Sequence, residues 1–317
     1  MTTIVGDGFT EEWLPGYDGI QFYTRTYPAA SARAVLLLIH GFAEHIGRYE
    51  WAHARCASNG ITVFAFDQRG FGRTALDSSH KSKRSSYGKT DLHCQMRDIE
   101  WWLKHLRNKH PSLPIFMTGH SMGGALVLAF PTRSTPPPVK DSVALLSGVI
   151  ASSPLVLQHV STSRPLRFLV DQLSKVLPNL PFDASLPNQY LSRDPEVIAA
   201  LEADPLVMQK GSLKCLSDML NAGEGLYKHD YQNWPKDLPV IFFHGDADKV
   251  TSYEASRQFF DKLQAKDKQF ETIKDAFHEL VHEPNGVKER FTDNCISWIL
   301  ERTGLDERHS TTAATET

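Results

Sequence analysis

The sequence predicts an α/β fold in which a mostly parallel, doubly wound sheet carries an inserted helical cap. Short apolar runs recur along the chain, and amphipathic stretches with helical spacing separate them, as in βαβ units. This alternation stops at residues 154–235, where helical patterns are joined by prolines, so a helical cap is predicted there. We therefore expect a core of residues 1–153 and 236–303, the cap at 154–235, and a disordered tail at 304–317.

The predicted strands share a continuous apolar character. Runs of this kind are typical of strands that are buried on both faces of a parallel sheet. They cover residues 34–39, 61–66, 115–118, 148–151 and 240–243, with a weaker candidate at 270–273.

Helices are predicted between these strands and within the cap. Residues 91–108 have apolar side chains at helical spacing, with Thr90 or Asp91 as the N-cap and Pro111 beyond the end. Further helices are predicted at 123–129, ending by Pro131, and at 253–263 and 286–300. The cap helix, 165–177, separates an apolar stripe from a polar face: Leu166, Leu169, Val170, Leu173, Val176 and Leu177 against Arg167, Asp171, Gln172 and Lys175.

Composition excludes several classes of protein. The 317 residues include 34 basic and 37 acidic side chains, a net charge of -3, which does not suit a nucleic-acid binder. The four cysteines form no CxxC pair, so a zinc ribbon and a disulfide scaffold are not expected. The N-terminus lacks the pattern of a signal peptide, and no apolar run could span a bilayer. A cytoplasmic protein is expected.

One motif indicates nucleophilic chemistry. An apolar strand runs into Gly119-His-Ser-Met-Gly123, and an Ala/Leu-rich helix follows. A G-x-S-x-G pattern between a strand and a helix predicts a sharp turn that exposes the serine hydroxyl at the sheet edge. The turn leaves no room for side chains at Gly119 and Gly123, and Ser121 is the predicted nucleophile.

A serine nucleophile needs a histidine base that a carboxylate orients. In this strand–turn–helix context the acid follows the serine in the chain and the histidine comes last. Asp246 and Asp248 follow the strand at 240–243. We favour Asp248 because it lies further from the strand, where the loop can turn back towards the histidine. Asp246 could instead stabilise the turn. His278 follows the last predicted strand and is the favoured base; His282 is a candidate pocket residue.

Two backbone amides are expected to bind the oxyanion of the tetrahedral intermediate. One belongs to Met122, directly after the nucleophile, and the other to Phe42, in the loop after the strand at 34–39. Gly41 would let that loop approach closely. His40 is expected to hold the loop by hydrogen bonds, and His120 is expected to be structural.

A competing motif overlaps the predicted base. Residues 278–282 read H-E-L-V-H, which is the zinc-protease pattern H-E-x-x-H. That pattern requires an α-helix through both histidines, whereas Pro284 and Gly286 interrupt the chain almost at once. Glu301 is a possible third zinc ligand by its spacing, so a zinc protease remains an alternative. It explains one segment of the sequence, whereas the serine interpretation explains four segments.

Taken together, the motifs resemble those of the monoglyceride (monoacylglycerol) lipases of the α/β-hydrolase superfamily, in a fungal-type branch. The resemblance extends from about residue 13 to residue 299. The motifs that carry it lie at residues 40–49, 67–72, 119–124 and 152–155, and in the cap at 176–180, 191–194 and 203–206.

The resemblance implies an α/β-hydrolase fold and a serine hydrolase that cleaves monoacylglycerols to glycerol and fatty acid, with no cofactor or metal. By the same match Ser121, Asp248 and His278 carry over as nucleophile, acid and base, and Phe42 and Met122 as oxyanion donors. Glu44, Arg48 and His282 receive no assigned role.

Alternatives are a broader carboxylesterase, a lysophospholipase, a thioesterase, or a non-catalytic binding protein of the same fold. The cap helix permits two interpretations. Its apolar stripe either packs onto the core or lines a tunnel and rests transiently in a membrane or lipid-droplet surface, with Arg167 and Lys175 among the headgroups.

Overall fold

The structure is a computed structural model that describes residues 3–5 and 8–304. The predicted tail lies outside the described residues from residue 305 onward. The strands of the described part are β1 (Thr3–Val5), β2 (Phe9–Pro15), β3 (Gln21–Tyr27), β4 (Ala34–Ile39), β5 (Ile61–Phe66), β6 (Ile115–His120), β7 (Leu146–Ser152), β8 (Pro181–Asp183), β9 (Lys210–Ser212), β10 (Val240–Gly245) and β11 (Lys268–Ile273).

The α-helices cover both faces of the sheet and the segment between β7 and β10. They are α1 (Glu50–Ser58), α2 (Gly72–Leu76), α3 (Leu92–Lys109), α4 (Met122–Thr132), α5 (Lys140–Val143), α6 (Arg164–Val176), α7 (Pro195–Ala203), α8 (Leu213–Lys228), α9 (Tyr253–Lys262) and α10 (Val287–Glu301). The long predicted helices therefore form within one or two residues of their expected ends, and Asp91 caps α3 by accepting a hydrogen bond from Cys94 N–H.

The main sheet has the order β1-β2-β3-β5-β4-β6-β7-β10-β11 within the described residues. The strands from β5 to β11 in this order pair in parallel, and β1, β2 and β3 are added antiparallel. The mostly parallel sheet is confirmed, and every predicted strand is present. Strands β1–β3 were not predicted: β2 has the sequence FTEEWLP, and β3 buries polar residues such as Thr24 and Arg25, so neither shows an apolar run.

Strand register brings four loops together at one edge of the sheet. Ile39 pairs with Gly119, so the loops after β4 and β6 leave the sheet side by side. Gly245 likewise pairs with Ile273, which places the loops after β10 and β11 next to each other. All four predicted parts of the site therefore lie at the carboxyl ends of parallel strands.

Alternate residues of β4 pack on opposite faces of the sheet. Leu37 and Ile39 join the apolar cluster formed with α3, α4, α8 and α9, whereas Leu36 and Leu38 join the cluster formed with α1 and α10. Since all of β4 is buried, its continuous apolar sequence is explained by helices on both faces.

Two details of the secondary structure differ from the predictions. Helix α4 was expected to end by Pro131, but it continues to Thr132. Its last turn stays closed because Thr132 Oγ1 donates to Leu128 O and Arg133 N–H bonds Ala129 O. The segment expected to form a helical cap also contains an antiparallel pair, β8 with β9, whose strands of three residues are too short to show a period.

Helix α6 binds its neighbour α8 through part of its polar side and exposes part of its apolar stripe. Leu169 is 52% exposed and Leu173 38% exposed, whereas Ser174 is buried. Asp171 accepts a hydrogen bond from Ser217 of α8, and Arg167 forms an ion pair with Glu224 of the same helix. Leu169 and Leu173 are therefore not core, and Arg167, which was expected to lie among the headgroups, is bound to α8 in this structure.

None of the helices in the described residues has both the length and the apolar character needed to cross a membrane.

Candidate active site

A sharp turn between β6 and α4 presents Ser121. Its backbone angles are φ 54° and ψ -117°, a region that residues other than glycine rarely adopt. A Cβ atom at Gly119 would lie 2.2 Å from Gly123 O, and one at Gly123 would lie 2.1 Å from Ile39 O. Both glycines are thus required, for the steric reason that the sequence indicated.

A short hydrogen bond joins the predicted acid to the predicted base. His278 Nδ1 lies 2.7 Å from Asp248 Oδ2, and both residues are 2% exposed. Asp248 Oδ1 accepts the amides of Val250 and Thr251 at 2.7 and 3.0 Å, so the carboxylate is held from both sides. Because Nδ1–H donates to Asp248, the other ring nitrogen of His278 is free to act as an acceptor.

Ser121 and His278 line the same pocket. In the described part of the chain the Ser121 hydroxyl makes no hydrogen bond. Bonds between nucleophile and base are often long before a substrate is bound. The structure therefore brings the three predicted residues to one place.

The second candidate acid has a different contact. Asp246 is exposed, and its carboxylate accepts the N–H of Asp275 at 2.6 Å. Asp275 has a positive φ of 57°, so this bond stabilises the turn that precedes the histidine. The geometry thus favours Asp248 as the partner of His278.

Burial and neighbouring charges set the protonation of the pair. Burial by itself would raise the pKa of Asp248, but the charge of His278 and the hydrogen bond from His244 outweigh it and hold this pKa well below its usual range. Burial would lower the pKa of His278, yet the Asp248 carboxylate raises it overall. His120, whose ring centre is 4.7 Å from that of His278, has a pKa of about 4 because of burial and that neighbour, and it is neutral.

Two unpaired amides lie beside Ser121. Phe42 N–H makes no hydrogen bond within the part of the chain that the structure describes, and Phe42 and Ser121 line one pocket. Met122 is the first residue of α4, so the helix offers no acceptor for its N–H. A Cβ at Gly41 would be 3.3 Å from Ser121 Cβ, which shows how closely the loop approaches the serine.

His40 fixes this loop, as expected. Its Nδ1 lies 2.8 Å from Gly41 O, and its Nε2 accepts the N–H of Gln68 at 2.8 Å. Gln68 Nε2 in turn donates to His40 O at 2.6 Å. Both ring nitrogens are therefore occupied, and burial lowers the pKa of this histidine.

A buried ion cluster lines the same pocket, and sequence reasoning gave it no role. Arg48 bonds Glu44 at 2.9 Å and Glu279 at 2.9 and 2.6 Å, and Glu44 also accepts the Gly41 N–H. Tyr49 donates to Glu44 at 2.7 Å. The i,i+4 spacing of Glu44 and Arg48 was the available signal, but the partner Glu279 is 231 residues away.

The H-E-x-x-H segment lacks the α-helix that this zinc pattern requires, and its second histidine has no free ring nitrogen. Leu280–His282 is a single 3₁₀ turn. His278 Nδ1 is bound to Asp248, and both ring nitrogens of His282 are occupied, by Glu279 at 2.9 Å and by Arg48 O at 2.7 Å. The zinc-protease alternative is therefore not favoured.

Two cavities meet at Ser121. The smaller, of about 70 Å³, is lined by the ion cluster and His278 together with apolar side chains such as Leu191 and Leu201. The larger, of about 280 Å³, extends under α6 between mostly apolar side chains, among them Leu166, Val170 and Phe182. Ser121 and Phe42 belong to both linings, so the serine stands between a small space that contains the ion cluster and a larger apolar one.

Comparison with known proteins identifies relatives over most of the chain. Residues 30–285 match the Hydrolase_4 family model, described as serine aminopeptidase, S33. The monoacylglycerol lipase of Mycolicibacterium smegmatis is 31% identical over 297 residues, 92% of this chain and 97% of that protein. The monoglyceride lipase of Saccharomyces cerevisiae is 30% identical over 312 residues, 94% and 93% of the two chains.

A solved structure gives the same result. A soluble variant of the Saccharomyces cerevisiae monoglyceride lipase, in complex with a substrate analog, matches with a TM-score of 0.82 and 28% identity, over 95% of this chain and 96% of that one. The sheet, the serine turn and these matches define an α/β hydrolase, which confirms the predicted fold class. The chain belongs to the Hydrolase_4 family, and its predicted resemblance to monoglyceride lipases is confirmed.

Separate substitutions of Asp246 and Asp248 by asparagine should distinguish the roles of the two candidate acids. We expect Asp248→Asn to lower kcat by about 10⁴, because an amide at this place favours the wrong histidine tautomer. Asp246→Asn should retain most activity, since it changes one exposed turn contact. Steady-state kinetics on a soluble ester measures both; equal losses would leave the acid unassigned, and the reverse order would assign Asp246.

The raised pKa of His278 predicts an acid limb in the pH profile. Protonated His278 cannot accept the serine proton, so kcat/KM should fall as the pH decreases, with a midpoint above that of an ordinary histidine. In the residual activity of Asp248→Asn the midpoint should lie at lower pH, because the negative charge that raises the pKa is gone. A midpoint that did not move would mean that the carboxylate does not control His278.

Proposed function

We propose that the chain hydrolyses monoacylglycerols to glycerol and fatty acid through an acyl-enzyme intermediate. The observation that carries the proposal is the Asp248–His278 bond beside Ser121, where a small cavity that contains the ion cluster meets a larger apolar cavity. The monoglyceride lipase relatives support the same substrate class.

The proposed roles follow from the donors and acceptors of the site. Ser121 Oγ attacks the ester carbonyl while His278 Nε2 accepts its proton, and Asp248 stabilises the imidazolium that forms. The Phe42 and Met122 amides bind the oxyanion, each donor contributing about 10²–10³ in rate. The bond to the glycerol oxygen then breaks, His278 returns the proton to glycerol, and water releases the fatty acid by the same steps.

The shapes of the two cavities suit an ester with one acyl chain. The apolar cavity under α6 offers a place for a hydrocarbon chain away from water. Glu44, Arg48 and Glu279 line part of the small cavity, so glycerol hydroxyls would meet polar side chains there. A triacylglycerol would have to place two further chains in the smaller cavity, whose volume is only about 70 Å³.

The family description makes peptide cleavage a second candidate, which the ion cluster disfavours. An aminopeptidase must bind the ammonium group of its substrate, and a free carboxylate is the usual partner for such a cation. The acidic side chains of the cluster, Glu44 and Glu279, are both bound to Arg48. The broader esterase, lysophospholipase and thioesterase alternatives lack a specific observation in their favour.

Hydrolysis of mono-, di- and triacylglycerols of the same acyl chain, measured side by side, tests the proposal. We expect monoacylglycerol turnover well above triacylglycerol turnover, and no release from aminoacyl p-nitroanilides. Ser121→Ala should abolish turnover while circular dichroism remains native, and a fluorophosphonate probe should label the wild type once and the variant not at all. Triacylglycerol preference, or labelling that persists in Ser121→Ala, would contradict the proposal.

We further propose that residues 154–235 form a cap over the site and that α6 contacts lipid surfaces. Exposed apolar side chains cover the outer face of this segment: Phe168, Leu169, Leu173, Val176, Leu177 and Leu180. Monomers rarely expose large contiguous apolar patches without an interaction that uses them. Such contact suits a cytoplasmic enzyme that binds membranes or lipid droplets peripherally and draws one chain past Leu166 towards Ser121.

Charges placed on the outer face of α6 should separate lipid contact from chemistry. We expect Leu169→Asp with Leu173→Asp to weaken liposome binding and long-chain turnover, because neither residue lines the cavity and both face outward. Hydrolysis of a short p-nitrophenyl ester should be retained. Liposome sedimentation and the two activity assays measure these effects.

A matched control adds the same charge elsewhere. Asn108→Asp with Ser112→Asp alters two exposed residues just before β6, at the end of the sheet opposite Ser121. This control should bind liposomes as the wild type does. If the α6 variant lost both activities equally, lipid contact through α6 would be refuted.

A further inference from the structure

Asp248 binds a second histidine. His244 Nε2 lies 3.1 Å from Asp248 Oδ2, the same oxygen that accepts from His278 Nδ1. His244 is at the end of β10, is fully buried, and packs edge-on against Tyr253 with ring centres 5.7 Å apart. One carboxylate oxygen is therefore shared by two imidazole rings.

The surroundings of His244 fix which nitrogen carries the proton. Nε2 faces an ionised carboxylate, which can only accept, so Nε2 must be protonated. Nδ1 is buried without a hydrogen-bond partner in the described residues. An unpaired buried nitrogen destabilises the fold, and an apolar side chain would avoid that penalty, so the contact with Asp248 is what the imidazole provides here.

Donors to Asp248 Oδ2 compete for its negative charge. Thr251 Oγ1 also donates to this oxygen, at 2.8 Å. Each donor other than His278 stabilises the carboxylate by itself and so reduces its pull on the His278 proton. A carboxylate with fewer donors would hold the protonated base more firmly, and more of the enzyme would then be inactive near neutral pH.

We propose that His244 is a positioning residue that holds Asp248 Oδ2 and tempers its effect on His278, so that the base releases its proton at a lower pH than it otherwise would. This inference rests on the proposed function. The titratable and charged groups that surround Asp248, His244 and His278 are Glu44, Arg48, His120, Lys249, Tyr253, Glu279 and His282.

The test is the pH profile of kcat/KM for a soluble ester in three variants. His244→Leu removes the donor, and its acid limb should move to higher pH by roughly 0.5–1 unit. His244→Gln retains an N–H donor, and its acid limb should lie close to that of the wild type. His53→Leu is the matched control, because His53 is also a buried histidine with unpaired ring nitrogens but does not contact Asp248, so its acid limb should not move.

The outcomes separate this inference from the proposed function. Loss of kcat at every pH with an unmoved limb in His244→Leu would overturn the inference, since that is the result of a merely structural role. A shift of the same size in His244→Gln would also overturn the inference. If His244→Leu does not fold, Thr251→Val removes another donor to Asp248 Oδ2. An acid limb at the wild-type pH in that variant would then overturn the inference. Failure of the proposed function would instead appear as ester turnover that survives in Ser121→Ala.

Discussion

The contact between the start of α4 and the end of β4 is the constraint on which the site depends. No side chain fits at Gly123, because the carbonyl of Ile39 occupies the place where its Cβ would lie. Helix and strand therefore touch backbone to backbone directly below Ser121. The loop that follows Ile39 carries the Phe42 amide, so the same contact that shapes the serine turn also sets the distance between nucleophile and oxyanion donor.

Several charged side chains are buried around Ser121 and are paired with one another. Arg48 lies between Glu44 and Glu279, and Asp248 lies between two histidines. Buried ions are tolerated only when they are paired and hydrogen-bonded. The cluster around Arg48 also bonds the Gly41 amide, so the ions hold the oxyanion loop.

Local patterns were sufficient to predict much of this arrangement. The buried strands are continuous apolar runs, and the serine turn has a steric signature in Gly119 and Gly123, so both could be predicted without tertiary information. Chain order in such turns led to Asp248 and His278. The remaining features depend on partners far apart in the chain, as with Arg48 and Glu279, or on a polar residue in an apolar strand, as with His244.

Helix α6 showed a different limit of sequence reasoning. Its pattern is that of an ordinary amphipathic helix, and the pattern alone does not say which face is covered. The hydrogen bond of Asp171 and the ion pair of Arg167 attach this side of α6 to α8, and Leu169 and Leu173 remain exposed.

The attachment of α6 has a consequence for its behaviour in different solvents. Hydrocarbon competes with apolar contacts between helices, but it offers no donors or acceptors that could replace Ser217 or Glu224. Hydrogen bonds and ion pairs become stronger as the surrounding dielectric constant falls. A helix held by leucines would detach in an oily environment, whereas α6 is held by contacts that such an environment reinforces.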